Sequence, residues 1–204
     1  GIRSTAQMIS YELSLGLSVL GVLLIFGSLN PNEIVKGQGE LIFGFLPKWG
    51  LFLQPLGMLL FIVAAFAECN RLPFDLPEGD SELVAGYHTE YGGFKFSMFF
   101  MGEYVAMIAL AGLFTTLFLG GWQLPWLSTA LLDQHVGQIV RALAQFFAFG
   151  IKTGFCLWVF IWVRWTLPRF RYDQLMRLGW KVILPAALIN VMVTALVLLF
   201  VSAR

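Results

Sequence analysis

The sequence predicts an all-α protein, a polytopic membrane helical bundle with about five transmembrane helices, and three observations predict it. First, 58% of its 204 residues are hydrophobic and only 12% are charged, with a mean hydropathy of +0.79. So little polar sequence cannot cover the core of a soluble domain. Second, five apolar runs are long enough to cross roughly 30 Å of hydrocarbon at about 1.5 Å per residue. Third, these runs are apolar on every face instead of alternating in strand-length segments, so backbone groups are satisfied within helices and not around a barrel.

The first run, Ala6 to Leu29, is stopped by "NPN" at Asn30 to Asn32. The second, Leu51 to Cys69, carries Pro55 near its start, where a missing backbone donor costs least. The third, Phe96 to Leu119, ends at "GGW", Gly120 to Trp122. The fourth, Ala142 to Val163, is followed by Pro168, and the fifth runs from Val182 to Val201. Residues 1–204 contain no internal repeat or domain-sized polar linker, so a single membrane domain is expected. The chain begins with Gly1, and Gly1 to Leu13 lacks the short apolar region and cleavage site of a signal peptide; a fragment or processed piece is expected.

Basic residues set the orientation. With the loop after the second run, residues 70–95, on the cytoplasmic side, Arg3, Arg71, Lys95, Arg164, Arg169, Arg171, Arg177 and Lys181 share that side, against Lys36, Lys48, Arg141 and Arg204 outside. That loop and its flanks gather six of the twelve acids: Glu68, Asp75, Glu78, Asp80, Glu82 and Glu90.

Several chemistries are excluded. Cys69 and Cys156 are too few and too distant for a zinc or iron–sulfur frame, and read as buried small residues. His88 and His135 fall on opposite sides of the membrane and cannot share a metal. The acids of Asp75 to Glu82 lack the glycine position and the final glutamate of a calcium loop. Lys152 in "GIKTG" has no glycine-rich phosphate loop before it, no dinucleotide fingerprint occurs, and nothing basic and aromatic is arranged for nucleic acid.

The informative residues are ionisable groups inside apolar runs: Glu12 in the first, Glu68 at the inner end of the second, Glu103 in the third and Lys152 in the fourth. Lys152 lies about twelve residues, or roughly 18 Å, from Arg164. Charges at such depth face a polar interior and pair with one another. A static Glu–Lys pair that fixes packing is one reading; a buried polar chain through several helices is the other. Burial pushes a carboxyl toward its neutral form and a nearby cation draws it back, so small rearrangements make such a group take up or release a proton.

Three stretches, "RSTAQMISYEL" (Arg3 to Leu13), "AECNRLPFDLPEGDSELVAGYHTEYGGFKFSMFFMGEYVAMI" (Ala67 to Ile108) and "LPRFRYDQLMRLGWKVILP" (Leu167 to Pro185), resemble the membrane-anchored quinone-site component of respiratory complex I. The likeness covers essentially the whole chain. Its first run is similar to the family's fourth transmembrane helix, with the earlier helices and an amphipathic helix at the quinone entrance outside the matched part. The resemblance implies that the loop from Asn70 to Lys95 forms part of the floor of the quinone cavity, with Arg71, Asp75, Glu78, Asp80 and Glu82 as its coupling residues. It also implies that Glu12, Glu68, Glu90 and Glu103 are the carboxylates of a proton relay into the membrane arm, to which the burial argument adds Lys152.

The function so implied is that of a subunit of a proton-translocating NADH:quinone oxidoreductase, linking quinone reduction to proton translocation. This chain would bind no cofactor itself: quinone is the substrate, and flavin mononucleotide (FMN) and iron–sulfur clusters belong to partner subunits. The implied partners are the peripheral-arm quinone-site subunits, neighbouring membrane subunits, quinone and the lipid membrane, with no nucleic acid. The implied location is the bacterial inner membrane, or the mitochondrial inner membrane for an organellar chain. Two other classes stay open: the related membrane subunit of an energy-converting hydrogenase or formate hydrogenlyase, and an independent secondary transporter, against which the lack of an inverted repeat and of paired broken helices argues.

Overall fold

The computed structural model describes residues 2–42, 46–75, 92–124 and 138–202. In order these form helices α1 (Ile2–Phe26) and α2 (Pro31–Gln38), a two-residue antiparallel pairing of β1 (Leu41–Ile42) with β2 (Leu46–Pro47), then α3 (Gly50–Leu53), α4 (Pro55–Glu68), α5 (Phe94–Phe118), α6 (Gln138–Thr166) and α7 (Tyr172–Leu178). A five-residue π-turn, Gly179–Ile183, joins α7 to α8 (Leu184–Ser202). Four stretches are long and apolar enough to cross a membrane: Thr5–Phe26, Phe94–Phe118, Gln138–Thr166 and Tyr172–Val201.

The second expected span is not one continuous helix. The chain breaks at Gln54 (φ −135°, ψ 66°), and Pro55 starts a new helix at the position where its missing donor costs nothing. The resulting α4 has 14 residues and a length of about 21 Å. Gln54 is buried at the break: its Nε2 donates to Thr194 Oγ1 at 2.6 Å, and its Oε1 accepts from Asn190 Nδ2 at 3.3 Å, both on α8. An amide inside an apolar bundle is satisfied only by another helix, so the break ties α4 to α8. The outer connection also holds more structure than its sequence suggests. Asn30 caps α2 by accepting from the Asn32 backbone N–H at 3.1 Å, with Pro31 in the first turn, so "NPN" stops one helix and starts another.

Packing divides the helices into two groups. Helix α1 packs chiefly against α4 and α8, while α5 packs chiefly against α6. Buried Ser10, Ser14 and Ser18 repeat every four residues along α1, and α4 supplies buried Gly57, Ala64, Ala65 and Ala67. Small side chains at this spacing let helix backbones approach closely. At the end of the bundle that carries Arg71 and Arg169, called the inner end after the orientation expected from the basic residues, the Tyr11 hydroxyl donates to the Leu175 carbonyl at 2.9 Å and the Trp180 indole donates to Ser10 Oγ at 2.9 Å, so α7 and the π-turn are fastened to α1.

Asn32 in α2 and Gln174 in α7 are both exposed and lie at opposite ends of the bundle. Cysteines at these two positions should react with a membrane-impermeant reagent from opposite sides, Asn32→Cys from outside and Gln174→Cys from the cytoplasmic side. Labelling of both from one side of sealed vesicles would overturn this topology.

Candidate functional site

The charged site is built where α4 ends. After Glu68 the chain turns through Cys69 and Asn70, the latter with φ +48°, and a fully buried glutamine of α1 clamps the turn. Gln7 Nε2 approaches the Ala67 carbonyl at 3.1 Å, the Phe74 carbonyl at 3.0 Å and Asn70 Oδ1 at 3.4 Å. Phe74 packs against Tyr11 of α1 and stacks on Phe170, whose backbone N–H donates to the Pro73 carbonyl at 3.1 Å. Held from both sides, the turn delivers Arg71 into the bundle.

Arg71 is 5% exposed. Its Nε pairs with Glu103 Oε1 on α5, and its guanidinium lies 4.8 Å from the centre of the Tyr104 ring. Two opposite charges and a ring face thus supply one another with what hydrocarbon does not. Asp75 at the end of the turn meets Arg169 Nη2 at 3.5 Å. Glu68 is partly buried, with Oε2 shielded from solvent and without a hydrogen-bond partner among the described residues. Glu12 sits on an exposed position of α1, close enough for its carboxylate and that of Glu68 to repel.

The structure therefore gathers Glu12, Glu68, Arg71, Asp75 and Glu103 at the inner end of the bundle. Glu78, Asp80, Glu82 and Glu90 lie outside the described residues. Lys152 is set apart from the carboxylates: its ammonium donates to the carbonyls of Leu119, Gly121 and Gln123 beyond the other end of α5. Among the described residues no group of three or more His, Cys, Asp or Glu lies together in a way that could hold a metal ion. Cys69 and Cys156 are free and buried.

Sequence reasoning missed Gln7, Tyr104 and Arg169. Gln7 did carry a signal, because an amide within an apolar run needs a partner on another helix; Gln54 and Asn190 carry the same one. For Arg169 and Tyr104 no comparable signal exists, since an arginine beyond a helix end and an aromatic in an apolar run are both ordinary.

A bundle of apolar helices with a guanidinium–carboxylate pair buried between them is an integral membrane protein that keeps charge where charge is costly. Comparison with known proteins narrows the class. The family model described as NADH dehydrogenase matches residues 1–195. Over 98% of its length the chain is 53% identical to the NADH-quinone oxidoreductase H subunit of Bdellovibrio bacteriovorus, covering 57% of that protein. It is 53% identical over 96% of its length to the corresponding H subunit of Salinibacter ruber, covering 57% of it, and 52% identical over 96% to NADH-quinone oxidoreductase subunit 8 of Rhodothermus marinus, covering 58%. The chain belongs to this family of NADH-quinone oxidoreductase membrane subunits, and it spans a little over half the length of the curated relatives it matches.

Removing one partner of the buried pair should cost more than removing both. Arg71→Met removes the guanidinium from Glu103 and should destabilise the protein by about 3 kcal/mol, whereas Arg71→Met with Glu103→Met should recover a large part of the loss. Thermal unfolding of the detergent-purified variants measures both. Additive losses in the double variant would show that the two side chains do not interact.

Proposed function

We propose that this chain is the part of a proton-translocating NADH:quinone oxidoreductase in which quinone reduction is coupled to proton movement. It would do so in the bacterial inner membrane, or in the mitochondrial inner membrane for an organellar chain. Peripheral-arm and neighbouring membrane subunits would be its partners, and flavin mononucleotide and iron–sulfur clusters would reside in those partners. The observation that carries this reading is the Arg71–Glu103 pair, buried in the bundle and joined through the Ala67–Asp75 turn to the acid-rich loop.

Reduction of a quinone to a quinol takes up two electrons and two protons, so an acid-rich segment beside the quinone changes charge during turnover. Arg71 is covalently part of that segment and ion-paired with Glu103 in α5. A displacement of the turn weakens the hold on the Glu103 carboxylate, which then favours a proton; restoration of the pair expels it. Glu68, with one shielded carboxylate oxygen, stands at the root of the same turn, and Glu12 adds a repelling charge. Glu12, Glu68 and Glu103 would together make up the inner set of the relay. Asp75, held by Arg169, and the loop acids Glu78, Asp80, Glu82 and Glu90 would feed protons to the set from the quinone side.

Replacing Glu68 or Glu103 by Gln keeps shape and removes the titrating proton. In the assembled complex each change should lower NADH:quinone turnover and proton pumping by about tenfold or more. Oxidation of NADH by an artificial acceptor, which bypasses the membrane, should stay near normal. Assembled complexes that retain both turnover and pumping would refute the relay. Neutralising Asp75 and Glu78 together should impair pumping far more than neutralising Glu33 and Glu40 of the outer connection; equal, small effects would make the loop acids a docking surface only.

A further inference from the structure

Lys152 has surroundings unlike those of the carboxylates. Its Nζ lies 2.7 Å from the Leu119 carbonyl oxygen, 3.0 Å from that of Gly121 and 2.6 Å from that of Gln123, and 4.5 Å from the centre of the Trp49 ring. Three carbonyls match the three N–H donors of an ammonium, which has no acceptor of its own. They belong to the C-terminal end of α5 and the turn after it, where unsatisfied carbonyls concentrate negative partial charge. The turn is shaped by Gly120 and Gly121, with φ of +74° and +52°, and a Cβ at Gly120 would strike the Trp49 indole. Gln38 reinforces the cage by donating to the Thr116 and Leu117 carbonyls at 3.2 and 2.9 Å.

Between this cage and the carboxylates lies a cavity of about 220 Å³, open on one side and lined by α3, α4, α5 and α6, whose walls include Met58, Phe61, Leu110, Phe114, Phe155 and Val159. Its lining is wholly apolar. It is roomy enough for water, but water is held only where two or more polar partners are offered, so an apolar cavity of this size stays dry. Along α5, Glu103 and Leu119 are about 24 Å apart. From the inner to the outer end, the α5–α6 region therefore presents carboxylates, a dry apolar section, a short line of Thr115 and Thr153 hydroxyls 3.4 Å apart, and a fixed cation.

We propose that the apolar cavity and the caged Lys152 form a proton seal, which closes the carboxylate cluster off from the outer face of the membrane. The dry section interrupts any water chain from Glu103 outward, and the ammonium repels a proton at the outer mouth of the section. Its donors are all engaged by backbone carbonyls, which hold it at this end and away from the carboxylates. The seal makes charge changes at the inner end useful, because protons taken up there do not drain outward along α5 and α6. The proposal takes from the reading above only that the inner carboxylates carry protons.

Passive proton entry into proteoliposomes that hold the assembled complex tests it, with a trapped pH indicator, an imposed pH step and no NADH. Lys152→Gln should raise the proton leak per complex about tenfold, the change that about 1.4 kcal/mol off a barrier produces, without raising potassium efflux. Val159→Thr, which carries the line of hydroxyls into the cavity with little change of shape, should raise the leak in the same direction and decides the matter if the lysine variant does not assemble. Wild-type tightness to protons in every variant that assembles would overturn the seal, as would a leak shared equally with potassium, which marks a broken bundle. Because no turnover is involved, the leak should survive the addition of Glu103→Gln, so failure of the seal and failure of the relay are read separately.

Discussion

The ion pair between Arg71 and Glu103 is the contact on which the inner end of the bundle depends. Helices α1, α4 and α8 form one packed group and α5 with α6 another, and α4 meets the second group through aromatic contacts, Phe61 with Phe114 and Phe118 of α5 and Phe66 with Phe160 of α6. Beside these contacts the two groups together line the apolar cavity. At the inner end they are joined by the guanidinium, which comes from the turn after α4, and the carboxylate, which comes from α5. Neither partner is stable there alone, since an unpaired charge among apolar side chains costs several kcal/mol or so. The pair thus holds two helix groups together and is at the same time the group most sensitive to a change in charge.

The joint at the outer end is of a different kind. Gln38 of α2 donates to two carbonyls at the end of α5, and Gly50 of α3 lies so close that an added Cβ would collide with the Leu117 carbonyl oxygen; within the second group, Lys152 of α6 donates to three carbonyls there and in the turn beyond. These acceptors are backbone groups and do not titrate. Weakening the inner ion pair therefore leaves these outer contacts unchanged.

How much of this was legible follows from what each feature depends on. Long apolar runs revealed the membrane helices because length and hydropathy are properties of one segment, and the ends of α1, α5 and α6 fell within a few residues of "NPN", "GGW" and Pro168. The break at Gln54 was partly visible: Pro55 marked a helix start, but a start inside an apolar run is indistinguishable from a run's tolerated first-turn proline until the partners on α8 are known. Carboxylates inside the runs could be named one by one, yet which of them meet is a question of tertiary contact. Glu103 and Arg71 are 32 positions apart, and only the turn clamped by Gln7 brings them together. Lys152 shows the limit most clearly. A buried lysine pairs with whatever negative charge is nearest, and sequence suggests carboxylates; the structure supplies carbonyl oxygens at a helix end, whose partial charges no residue letter records.

That difference in partner separates two uses of buried charge within one chain. A carboxylate opposite a guanidinium has a state to lose, because a proton cancels its charge and with it most of the attraction. An ammonium opposite backbone carbonyls has partners whose charge is built into the peptide group, so no proton transfer between them is available and the contact is constant through any change at the inner end. Both serve the rule that charge within apolar surroundings must be matched. The inner set meets it with partners that can titrate and sit beside a turn, the outer cage with backbone partners that cannot. A membrane helix pair that carries both has a responsive end and an inert end, and the roughly 24 Å of α5 between them includes an apolar section beside the cavity that offers a proton nothing to bind.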